Sequence, residues 1–168
     1  MNSQQNKTVG QAIEIKNDVG EVIYTYKVPA GKWELDKADL RGINLDRANL
    51  FGAIMEDGDL DGASLKGAIL YGAYLVGANL RNSNLQGACL RGANLKEVNF
   101  DNANLRNADL SADNTGHSTA LNGANLLTAN LEGACFVGSS YDERTKFPHD
   151  FDPEQGGMRK VREEWGYA

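Results

Sequence analysis

The residues best suited to chemistry in this chain are two histidines, His117 and His149, and two cysteines, Cys89 and Cys135. A histidine beside a carboxylate can move a proton or hold a metal, and His117 stands near Asp113. A metal site needs more ligands than that pair, at recognisable spacings. Neither histidine has a sequence neighbour that suggests a nucleophile. The cysteines are too few for a disulfide framework and lack the short paired spacing of a zinc site, so free thiols are expected. The sequence therefore predicts no catalytic site, no metal and no cofactor.

What remains is the chemistry of surfaces. Phe51, Ile54, Ile69, Tyr71, Tyr74 and Val76 occupy outward places at which the sequence elsewhere puts Asn, Asp, Arg or Lys. Contiguous exposed apolar area marks an interface. The expected contact is another protein, or self-association through this patch; the alternative is that the terminal segments fold over it. A second place is Asp113, Asn114, Thr115, Gly116, His117 and Ser118, which interrupt an otherwise regular pattern. Loops on rigid scaffolds often carry function, and a tolerated insertion is the other reading. A third is an acidic cluster of Glu56, Asp57, Asp59 and Asp61.

The element that must position all of these is a five-residue period. Leucine or a substitute recurs at every fifth position from Leu35 to Leu110, with Met55 and Phe100 as the substitutes. The register resumes at Leu121, Leu126, Leu131, Phe136 and Tyr141. A small residue usually stands two before the centre, as at Ala48, Ala63 and Ala73, with Asn or Asp usually one before and Gly often two after. On a helix this period rotates successive leucines by about 140°, leaving no single apolar face. On a straight strand it throws them onto opposite faces. It works if the chain turns a corner once per unit, with the small residue and the leucine both pointing inward. Stacked turns then pair backbone between coils.

The outward residue after each centre sets the number of units per coil. With four, one column reads Arg41, Asp61, Arg81, Asp101, which alternates in charge, and another reads Phe51, Tyr71, Arg91. Three or five units per coil stack like charges, so four is preferred. Excising Asp113–Ser118 keeps the register intact, which makes it a loop between the third and fourth faces. Cys89 and Cys135 then share the third face two coils apart, ~9.6 Å from two strand spacings, beyond the reach of a disulfide.

Runs such as Ala38-Asp39-Leu40-Arg41-Gly42, Ala78-Asn79-Leu80 and Ala103-Asn104-Leu105 resemble the pentapeptide repeat proteins, from about Trp33 to Glu143. That resemblance implies an all-β solenoid: a right-handed quadrilateral β-helix, here of about five coils. The stretch Thr145-Lys146-Phe147-Pro148 with Phe151-Asp152-Pro153 is similar to tails of cyanobacterial members. Some members mimic DNA and regulate type II topoisomerases such as gyrase, and the acidic cluster invites that alternative. The rod also carries Arg41, Arg47, Lys66, Arg81, Arg91, Lys96 and Arg106, a mixed surface rather than a phosphate-like array.

The ends of such a rod need caps. Residues 1–32 are read as an N-terminal segment with a β-hairpin from Gln11 to Val28, helped by Trp33. Residues 33–143 are the β-helix. Residues 144–168 are a capping tail with a short helix starting near Asp152-Pro153. The net charge of −6 argues against direct nucleic-acid binding, which needs a basic footprint. No apolar run is long enough to span a membrane and the start lacks a secretory layout, so a cytoplasmic protein is expected.

Overall fold

Each unit closes on itself through a turn. Ala53 N–H donates to Leu50 O at 3.1 Å, and Ala68 N–H to Leu65 O at 3.0 Å. Between them the residue two past the centre has positive φ, +61° at Gly52 and +64° at Gly67. A type II turn demands that sign there, which is why glycine recurs at this place. The residue before the centre sets up the corner: Asn44 Oδ1 accepts the N–H of Asp46 at 2.9 Å, and Asp109 Oδ1 that of Ser111 at 3.0 Å. Short Asn and Asp side chains suit this place because they bond the backbone two residues on more strongly than Ser or Thr does.

In the computed structural model, which describes residues 12–27 and 35–162, these corners stack. Parallel bridges join Asn49 to Ile69 and Ile69 to Cys89, so partners lie four units apart. Leu50 N–H donates to Ile69 O at 2.8 Å, and Ile69 N–H to Ala48 O at 2.9 Å. Four units therefore make one turn of the solenoid. We number its faces by their centres: face one holds Leu40, Leu60, Leu80, Phe100 and Leu126; face two begins at Leu45 and face three at Leu50, and face four holds Leu35, Met55, Leu75, Leu95 and Leu121. The ladder shifts at Asn94↔Ala120 and returns at Ala120↔Ser140, so residues 113–118 are an excursion between faces three and four.

The centres and the small residues before them fill one interior. Leu40 to Phe100 and on to Leu126 are buried, as are Ala48, Ala63 and Ala78. Outside, amides cross-link the rungs: Asn79 Nδ2 donates to Asp59 Oδ1 at 2.9 Å, and Asn104 Nδ2 to Asn84 Oδ1 at 3.2 Å. Phe51 and Tyr71 stack, with centroids 5.4 Å apart and planes 2° from parallel. Arg81 meets Asp101 at 3.6 Å. Arg41 does not take the Asp61 partner expected of it. It binds Asp39 at 2.7 Å and Asp59 at 3.6 Å, because two carboxylates converge there, while Asp61 accepts from Asn82 Nδ2 at 2.8 Å.

At the N-terminal end, β1 (Ala12–Lys16) and β2 (Val22–Lys27) form an antiparallel hairpin. It docks on the first coil through Asn17↔Ala48, with Asp18 held by Arg47 at 2.7 Å. Ile13 and Ile15 are buried against the core. Gln11, Val28 and Trp33 lie outside the described residues.

At the other end, the chain adds Lys146 beside Asn125 and then crosses the coil. Phe151 packs edge-on to Phe136, centroids 5.1 Å apart, before β4 (Arg159–Lys160) pairs parallel with β3 (Ser140–Tyr141). The helix expected near Asp152-Pro153 is absent among the described residues. Its N-terminal signal is real: Asp152 Oδ1 accepts from Glu154 N at 2.9 Å and Gln155 N at 3.2 Å. Gly156 and Gly157, the latter at φ +76°, end it after one turn, since glycine in a left-handed conformation stops a helix.

A candidate protein-docking face

The apolar residues singled out in the sequence lie on adjacent rungs of faces three and four. Ile54 bridges Tyr74 and Ile69 bridges Cys89. Phe51 is 63% exposed and Tyr74 49%; Ile54, Ile69, Tyr71 and Val76 are half-buried. The described part of the hairpin sits at the end of the rod and leaves Phe51 and Tyr74 open.

The loop is joined to this patch, a link the sequence did not show. The Tyr71 hydroxyl donates to Asp113 Oδ2 at 3.1 Å. Asp113 Oδ1 accepts from Thr115 N at 2.9 Å, Thr115 Oγ1 at 2.8 Å and His117 N at 2.8 Å. Burial opposes ionisation of Asp113, but the Thr115 hydroxyl and the His117 and Thr115 amides outweigh it and hold the carboxyl well below its ordinary range. Burial, then the bond to Asp113, pushes the Tyr71 phenol up. One carboxylate thus ties the loop to itself and to the aromatic ladder.

Arg91 completes the column above Tyr71. Its Nη2 donates to Asn114 Oδ1 at 2.6 Å and to Ala112 O at 3.3 Å. Its buried Nε has no hydrogen-bond partner, with Asp109 Oδ2 3.8 Å away. Asp109 was not singled out from sequence; it stands between Cys89 and Cys135 on face three, and only the four-unit stacking reveals it. The base of the loop rests on Gly92, where a Cβ would lie 3.3 Å from that of Asp113. Inside the rod, buried Thr119 closes the excursion: its hydroxyl meets Ser111 O at 2.8 Å and Gly92 N at 2.8 Å.

Both cysteines are free thiols. His117 reaches Asp113 Oδ2 at 3.3 Å and His149 reaches Asp150 at 3.0 Å. Among the described residues, no group of three or more His, Cys, Asp or Glu side chains gathers as a metal site. No helix among them is long and apolar enough to cross a membrane.

The family model for pentapeptide repeats matches in eight copies, over residues 34–67, 59–96 and 88–112. No curated protein matches the chain. Among solved structures, alr5209, a pentapeptide repeat protein from Nostoc Pcc 7120, is 31% identical, over 64% of this chain and 84% of that one, with a TM-score of 0.39. HetL, a pentapeptide repeat protein involved in heterocyst differentiation regulation from the cyanobacterium Nostoc sp. strain PCC 7120, is 26% identical over 74% of this chain and 54% of its own, with a TM-score of 0.44. Rfr23 from the cyanobacterium Cyanothece 51142 is 27% identical over 80% and 78%, with a TM-score of 0.40. With the unit found in eight copies along the sequence and stacked rung on rung in the fold, the chain belongs to the pentapeptide repeat proteins.

Proposed function

We propose that this chain is a non-catalytic protein-binding module of the cytoplasm. In this reading the rod is the family's right-handed four-sided β-helix, capped at both ends, and it binds neither nucleic acid nor membrane. Faces three and four present Phe51, Ile54, Ile69, Tyr71, Tyr74 and Val76 to a partner, with Asp113, Asn114, Thr115, Gly116, His117 and Ser118 as the flanking loop. The observation that carries this is the exposure of Phe51 and Tyr74 beside a loop bonded to the same aromatic column. A rigid scaffold loses little entropy when it binds. Replacing Phe51 and Tyr71 together by Ser should leave the circular dichroism spectrum unchanged and abolish capture of the partner from host extract. Complexes that survive the double change remove the patch from consideration.

A second reading, a DNA-mimic regulator of gyrase, is favoured by the acidic cluster alone. Within the rod, Asp57 meets Lys37 at 3.7 Å, Asp59 meets Arg41 at 3.6 Å and Asp61 accepts from Asn82, which spends much of that charge internally. A supercoiling assay with the purified chain tests it: no effect at micromolar protein eliminates this reading.

A further inference from the structure

We infer that the partner seated on face four is a second copy of this chain, side by side and antiparallel; the inference rests on the protein-binding reading above. Over the rungs centred on Met55, Leu75 and Leu95 face four shows two outward columns. One runs Ile54, Tyr74, Asn94, joined by parallel bridges. The other runs Glu56, Val76, Lys96, stacked by the bonds from Asp57 N to Val76 O and from Gly77 N to Lys96 O, each 2.9 Å, with Asp36 one rung below Glu56 through Lys37 N to Glu56 O at 2.8 Å. Val76 is half-buried, while Glu56 and Lys96 are exposed. Neither charge has an ion-pair partner among the described residues.

The second column therefore reads acid, apolar, base, with the two charges one rung either side of the centre, ~4.8 Å per rung. A two-fold axis lying in the interface, across the rod at Tyr74 and Val76, reverses the rod. It sets Glu56 of each copy opposite Lys96 of the other. It lays Tyr74 and Val76 each on its own symmetry mate. A parallel pairing would instead oppose Glu56 to Glu56 and Lys96 to Lys96. A patch whose charges match under this reversal meets what an isologous interface requires; an unrelated partner imposes no such symmetry.

Sedimentation equilibrium of the full chain tests this, from about 1 μM to about 0.5 mM, the range in which a modest interface dissociates. The expected result is a dimer that dissociates on dilution and with added salt. Glu56→Lys or Lys96→Glu alone should weaken it at least about tenfold, since each places like charges together at two symmetric points. The double reversal should restore the wild-type constant to within about threefold. Unchanged melting curves show that each variant folds. A monomer at every concentration, a dimer indifferent to the single reversals, or a double reversal that fails to recover overturns the assignment. If the chain stays monomeric while the Phe51 and Tyr71 change still abolishes capture of a different protein, the docking reading stands and the second copy falls.

Discussion

Replacing Gly92 by Ala separates two effects that meet at the base of the loop. Gly92 has φ +64°, a conformation that costs an L-residue about 1 kcal/mol. Its added methyl would lie 3.3 Å from Asp113 Cβ and 3.4 Å from Asp113 Oδ2, closer than carbon atoms pack comfortably. Gly72, one rung below, has φ +63° and nothing within 4 Å of an added Cβ. Gly72→Ala is thus a control with the backbone cost and no contact. Both variants should lose about 1 kcal/mol of global stability, a fall of ~2–4 °C in melting temperature for a chain of this size. Only Gly92→Ala should lift the loop. The readout is hydrogen exchange at the Thr115 and His117 amides, which bond Asp113 Oδ1 at 2.9 and 2.8 Å. Their exchange should accelerate at least about fivefold in Gly92→Ala, the equivalent of about 1 kcal/mol of local opening, and stay unchanged in Gly72→Ala. Equal exchange in the two variants would refute the idea that Gly92 seats the loop.

Two further predictions follow from charge. Asp39 is held at about 2, from its ordinary 3.8, chiefly by the side-chain bond from Arg41; its contribution is complete above 3.8 and is lost as pH falls through about 2. A carboxyl NMR titration should find that midpoint, and Arg41→Gln should return it toward 3.8. Arg47 sits at φ +58° while it clamps Asp18 at 2.7 Å. Arg47→Gly relieves about 1 kcal/mol of backbone strain and loses an exposed ion pair worth about 0–1 kcal/mol. Its melting temperature should barely move, yet amide exchange in β1 and β2 should quicken; unchanged exchange there would show that the ion pair does not hold the hairpin.

The repeat was legible because each unit spells its own turn. Leucine at every fifth place, glycine where φ is positive and asparagine where a side chain must reach the backbone together leave few alternatives. The four-unit stacking could be read from side chains too, since it alone puts Phe51 under Tyr71 without opposing like charges. Choices made by long side chains were not legible. Arg41 has several carboxylates within reach, and only three-dimensional convergence decides for Asp39 and Asp59. The Tyr71–Asp113 bond was hidden because it depends on how the loop folds back, which no periodicity reports. The tail misled for a different reason: Asp152 and Pro153 announce a helix, but Gly156 and Gly157 stop it within a turn.

The proposed docking rests above all on the outward side chains of faces three and four being the surface that touches another molecule. Methyl NMR of the folded chain reads this directly, with Ile54, Ile69 and Val76 as reporters and Leu127, 53% exposed on face one, as the control. On adding partner, or on raising the concentration of the chain itself, the three reporters should shift or broaden while Leu127 holds still. Reporters that stay fixed while Leu127 moves would contradict the account.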